Sequence, residues 1–140
     1  MRLSLLILLC IIYLPNTLAA TKKAAMSELQ PLLTAHKIKT EYPLTLFFNS
    51  QGEHTYSHAG TLDDSLIAVN ISEHNTPIST LHFNEISEKI PVNTLGKNGT
   101  AILFTIDENI CPACATEKEA LEQFGKHNFS SVSHILVEFR

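Results

Sequence analysis

The chain predicts a three-layer α/β domain whose sheet begins with an N-terminal β-hairpin and carries helices on both faces. Three observations predict it. First, YPLTLFFN and EHTYSHA flank Ser50-Gln51-Gly52, with Leu44, Leu46 and Phe48 alternating: a strand, a glycine turn and a second strand. Second, apolar residues recur at helical spacing in segments 22–37 and 76–90. Third, the apolar run TAILFTI is followed by a helical stretch and then by SHILVEF, the order of a parallel crossover. Strands and helices mixed in this way pack as a sheet under helices.

Taken in order, residues 22–37 place Met26, Leu29, Leu32 and Leu33 on one helical stripe, with Pro31 expected to kink or shorten it. The hairpin follows. Residues 60–72 suit either a short strand or a helical turn. Thr76 is a good N-cap and Pro77 suits a first helical position, so a helix is expected from Thr76 to Ile90, stopped by Pro91. Lys97-Asn98-Gly99 turns into the strand TAILFTI. Asn109 is then a candidate cap for a helix over Pro112 to Lys126, with Ala115, Leu121 and Phe124 on its buried side. Val132 to Phe139 forms the last strand.

The chain has 140 residues, enough for one domain. Residues 1–20, MRLSLLILLCIIYLPNTLAA, have the form of a secretory signal peptide. Arg2 is followed by an apolar core, then Pro15-Asn16 and a small-residue cleavage site. The apolar core is shorter than the ~20 residues of a membrane span. Residues 21–140 are then the mature single domain, secreted or periplasmic, with no stable membrane span after cleavage. Losing Arg2 takes the formal net charge from −4 to −5. An acidic chain argues against broad phosphate-backbone binding, which needs clustered Lys and Arg. There is no Gly-rich phosphate loop and no nucleophile-elbow serine.

Cleavage also removes Cys10 and leaves an even pair, Cys111 and Cys114, in the stretch ENICPACATEKEALEQF. An oxidising compartment allows a disulfide between them. At a helix N-terminus the peptide dipoles and free N–H groups stabilise a thiolate. Zinc binding and thiol exchange both need that thiolate, and the i, i+3 spacing brings both sulfurs to one turn. A plain stabilising disulfide is the third reading of the pair.

The strand, the short loop, CPAC, the helix and the final strand resemble a thioredoxin-like motif over residues 99–139. A thioredoxin-like domain normally continues with a strand pair, a cis-proline facing the dithiol and a closing helix. In this chain that requires a permuted or truncated arrangement. This resemblance implies an exported thiol–disulfide oxidoreductase using the CPAC motif.

A second resemblance spans most of residues 24–139. An initial helix, the hairpin LTLFFNSQGEHTYSHAG, a helix around HFNEI, then GTAILFTIDENICPACATEKEALEQF and SHILVEF follow one another. This order resembles the cytidine-deaminase-like superfamily, nearest its short bacterial toxin-type nucleic-acid and nucleoside deaminases. The resemblance implies a zinc-dependent hydrolase that removes an amino group from a nucleobase or nucleoside. Zinc held by three side chains activates a water, and a Glu moves protons. Carried over, Cys111, Cys114 and His82 are the zinc ligands and Glu85 is the acid/base. Partners implied are a free nucleobase or nucleoside or single-stranded nucleic acid and, for a toxin, an immunity protein. The family ligand stands two residues before the Glu, where this chain has Phe83, and Ile110 stands where the family has a proline before the first Cys. The site is therefore open to an active or a degenerate form. His54, His58 and His74 are further histidines near turns, and Glu117, Glu119 and Glu122 read as a solvated acidic helix face.

Overall fold

The computed structural model describes residues 21–61, 76–128 and 131–140, the backbone alone at 124–128. Residues 1–20, where a signal peptide is expected, and residues 62–75 with His74 lie outside the described residues. The described elements are β1 (Lys22–Ala25), α1 (Met26–Ala35), β2 (Leu44–Phe48), β3 (His54–Ala59), α2 (Phe83–Ser87), β4 (Thr100–Thr105), α3 (Pro112–Asn128) and β5 (Ser131–Glu138). Together they form an α/β fold with one five-stranded mixed sheet and three helices among the described residues.

The sheet order is β1-β5-β4-β2-β3. The hairpin β2–β3 is antiparallel, as its turn residues dictate, and β2 also runs antiparallel to β4, with Leu46 opposite Ile102. β4 and β5 are parallel, with Leu103 opposite His134, and β1 lies parallel on the outer side of β5. An internal strand is covered on both faces, which is why all five residues of β2 and all six of β4 are buried.

Alternation along the strands divides the core. Leu44, Leu46, Phe48, Ile102, Phe104, Ile135 and Val137 join Leu29, Leu32 and Leu33 of α1 and Phe83 and Ile86 of α2 in one cluster. Phe47, Ala101 and Leu103, on the opposite parity, meet Leu121 of α3.

Two segments differ from their expected form. The first four residues expected in a helix, KKAA, form β1 instead, because β5 offers a parallel edge whose partner is 113 residues away in sequence, Lys22 opposite Ile135. α1 then runs through Pro31 without a break. The helix expected from Thr76 is confined to Phe83–Ser87. Backbone groups before it bond to the hairpin: Ile78 N–H to the His54 carbonyl at 2.9 Å, His54 N–H to the Leu81 carbonyl at 3.3 Å, and Phe83 N–H to the Gly52 carbonyl at 2.8 Å. Groups engaged in this way are not available to an i→i−4 ladder.

Candidate functional site

β4 ends at Thr105, and a tight turn leads to the cysteines. The carbonyl of Asp107 accepts from the N–H groups of Ile110 and Cys111, both at 2.9 Å, and its carboxylate accepts from the Asn109 N–H and side-chain amide. Asn109 therefore braces the turn, and Cys111 itself precedes the first helical residue, Pro112. The N–H of Cys114 closes the first bond of α3 onto the Cys111 carbonyl at 3.0 Å. Pro112 has no N–H to leave unsatisfied and suits that position.

Cys111 and Cys114 form a disulfide, with Cα atoms 5.4 Å apart. Cys111 is the more accessible at 8% exposure against 1% for Cys114, and the residues flanking it, Ile110 and Pro112, are exposed. The Sγ of Cys111 lies 3.8 Å from the carbonyl oxygen of Tyr42. A disulfide sulfur has no proton, so this is a packing contact; a reduced Cys111 thiol would donate there. Tyr42 leads into β2 through a cis bond to Pro43. Its hydroxyl donates to Met26 Sδ at 3.5 Å, and burial pushes its pKa up to about 12.

His82 and Glu85 are elsewhere. His82 bridges to Glu53 in the hairpin turn, beside Phe48, which pairs with Thr100 at the start of β4. The cysteines follow the other end of β4. The two groups are thus separated by the length of the sheet, roughly 15–20 Å at 3.3 Å per residue. His82 is the N-cap of α2, and Glu85 completes a capping box by accepting from the His82 N–H at 3.0 Å. The His82 ring bonds the Gln51 carbonyl through Nε2 at 2.9 Å and accepts from the Asn84 N–H through Nδ1 at 3.3 Å. Glu85 also pairs with His36 Nε2 at 3.0 Å. Burial works against the Glu85 carboxylate, but the His82 N–H and the His36 ring outweigh it and hold its pKa below the ordinary value.

The zinc donors that the deaminase resemblance implies do not come together in this structure. Cys111 and Cys114 are joined as a disulfide rather than free as thiolates, and both nitrogens of His82 are engaged at the far end of the sheet. Among the described residues no three His, Cys, Asp or Glu side chains converge on one point. Of the other histidines, His54 sits at that same far end, with Nδ1 bonded to Ser79 Oγ at 2.8 Å, and His58 Nε2 bonds the Thr61 carbonyl at 2.8 Å.

Two side chains near the disulfide escape a reading by sequence. Glu117, expected on a solvated face, is 2% exposed one turn beyond Cys114. His134, in β5, is 8% exposed and lines a cavity of about 330 Å³ together with Cys114, Thr105, Lys118 and Thr21. Strand parity was the available signal: residues 132, 134 and 136 must face away from Ile135 and Val137. Which helix they meet depended on register.

Among the described residues no helix is long and apolar enough to cross a membrane. Comparison of the chain with protein-family models, with curated proteins and with solved structures finds no match.

Proposed function

We propose that this protein is an exported thiol–disulfide exchange protein whose reactive pair is Cys111 and Cys114. The observation that carries the reading is the placing of the pair: a joined CxxC at the N-terminus of α3, with Cys111 the less buried of the two and packed on the Tyr42 carbonyl. A thiolate on Cys111 would face the free N–H groups of a 17-residue helix, which lowers its pKa. Exchange proceeds by attack of a thiolate on a sulfur in line with the bond that breaks. Cys111, the less buried of the two, takes the bond to substrate, and Cys114 is the sulfur that leaves or returns. The substrate class is a protein or small-molecule thiol or disulfide.

The sheet supports this reading. β4, α3 and β5 give the strand–CPAC–helix–strand unit, and the strand pair that a thioredoxin-like domain has after that unit has its counterpart in β2 and β3, which precede it in sequence and lie beside β4. That is a permuted arrangement. A deaminase-like three-layer sheet with an N-terminal hairpin shares this element order and is the second reading. It requires His82 and Glu85 to join the cysteines around zinc, and they are a sheet length apart.

The test uses the purified chain lacking its leader. Reduced protein mixed with glutathione disulfide is expected to oxidise to the Cys111–Cys114 disulfide. Cys114→Ser is expected to hold one glutathione on Cys111, and Cys111→Ser to hold none, as read by intact mass. Stoichiometric zinc with both thiols protected from alkylation would instead return the deaminase reading. A disulfide inert to glutathione would leave the pair a stabilising link.

A further inference from the structure

We propose that Thr105, His134 and Thr21 form a proton path serving Cys114 through the cavity behind the disulfide, with His134 as its positioning residue. The proposal rests on the thiol-exchange reading. Cys114 is 1% exposed, yet each exchange cycle must give its sulfur a proton or remove one. The cavity it lines offers a route away from it, and the polar groups there are connected. Lys118 Nζ donates to Thr21 Oγ1 at 3.0 Å, Thr21 Oγ1 meets His134 Nδ1 at 2.9 Å, and His134 Nε2 meets Thr105 Oγ1 at 2.7 Å. Thr105 is 3% exposed, whereas Thr21 is open to solvent, so the chain runs from the interior to the surface.

The polarity of the chain follows from its outer end. With Lys118 donating to Thr21, the Thr21 hydroxyl hydrogen is available to His134 Nδ1. The ring proton then sits on Nε2 and is donated to Thr105, whose own hydroxyl hydrogen is left for the cavity. Burial first, and the Lys118 charge second, lower the His134 pKa to about 4. The ring is therefore neutral at neutral pH, with one nitrogen to accept and one to donate. The other charged groups lining this cavity are Asp107 and Glu108.

In the oxidising direction a substrate thiolate attacks Cys111 Sγ. The substrate–Cys111 bond forms, the Cys111–Cys114 bond breaks, and the electron pair leaves on Cys114. That thiolate takes a proton delivered from Thr105. His134 Nε2 resupplies Thr105, Thr21 resupplies Nδ1, and solvent resupplies Thr21. In the reverse direction Cys114 loses its proton along the same path and attacks Cys111, releasing the substrate thiolate.

The experiment measures the lifetime of the Cys111–glutathione mixed disulfide in the full mature chain, by acid quench and intact mass after mixing reduced protein with glutathione disulfide. In the wild type the intermediate should be short-lived, with resolution rising with pH as the Cys114 thiolate fraction grows. His134→Gln should lengthen its lifetime by roughly 10–100-fold at pH 7, with the difference closing towards pH 9 as hydroxide takes over. Thr105→Val, which leaves His134 in place, should act in the same sense and serves if His134→Gln does not fold. In a Cys114→Ser background, His134→Gln should leave the rate of the first attack by Cys111 unchanged. Wild-type lifetime and pH slope in both variants would overturn the path. So would an equal loss in the first attack, which marks a structural effect. A wild type that forms no mixed disulfide and does not oxidise overturns the exchange reading itself.

Discussion

His54 and His134 have the same response to acid for the same reason, although only His134 lies near the cysteines. Both are buried, and burial opposes the imidazolium, lowering each pKa from the ordinary 6.5 to about 4. A lowered histidine pKa means that the unfolded chain binds the proton first as pH falls. Stability is then fully present above pH 6.5, declines as pH drops towards 4, and levels off below that. Replacing His54 by Asn, which can still reach Ser79 Oγ, removes one of these titrations. Urea unfolding at pH 7 and pH 4.5 should show the wild type losing about 2 kcal/mol more between those values than His54→Asn. An identical decline in both proteins would mean that His54 is not held neutral. The Nε2 of His54 is buried without a hydrogen-bond partner among the described residues, which fits a ring kept in its uncharged form.

At the scale of elements, Glu85 decides between two chemistries by what its removal does. It closes the capping box of α2 and reaches across to His36, the C-cap residue of α1, so it ties two helices together. Glu85→Ala should cost about 1 kcal/mol in urea unfolding and leave the rate of glutathione exchange unchanged. An unchanged stability would contradict the capping role, and lost exchange would contradict its distance from Cys111. Gly52 supports the same junction. Its φ of +81° and the His82 ring, whose Cε1 would lie 2.7 Å from an added Cβ, leave no room for a side chain. Gly52→Ala should therefore destabilise by more than the ~1 kcal/mol of an ordinary glycine exchange, read by the shift in thermal midpoint. Much of this level was legible in the sequence. The hairpin, β4, α3 and β5 are all announced by period-2 or helical spacing together with Gly or Pro punctuation. What was hidden depends on distant partners. KKAA carries no strand signal and extends because β5 has an open edge. The segment before Phe83 carries good helix-start residues but bonds to the hairpin turn. His82 and Glu85 share a turn as their spacing required, yet the spacing could not tell which end of the sheet that turn would occupy. The cysteine pair itself was legible, and its setting was not. Tyr42, Thr105 and His134 reach it only through the order of strands in the sheet.

For the whole molecule, the position of the disulfide sets how much of the fold depends on it. The apolar cores on either side of the sheet are built from strands paired across the full chain, with β1 from the beginning lying against β5 from the end. The Cys111–Cys114 bond joins residues three apart within the first turn of one helix, and ties no strand to another. Closing so short a loop removes little freedom from the unfolded chain, about 2 kcal/mol on the chain-entropy estimate. Domains of this size typically have 5–15 kcal/mol of stability. Reduction should therefore leave the protein folded, with the Cys111–Cys114 turn loosened and the sheet intact. Urea unfolding of residues 21–140 with and without a phosphine reductant should give cooperative transitions differing by no more than about 2 kcal/mol, with matching far-ultraviolet circular dichroism before unfolding. A reduced chain that is unfolded in buffer, or weaker by 4 kcal/mol or more, would make the bond a stabilising link and count against a pair that opens and closes in each cycle. A small loss is what an exchange protein requires, because it must keep one substrate surface while its own disulfide comes and goes.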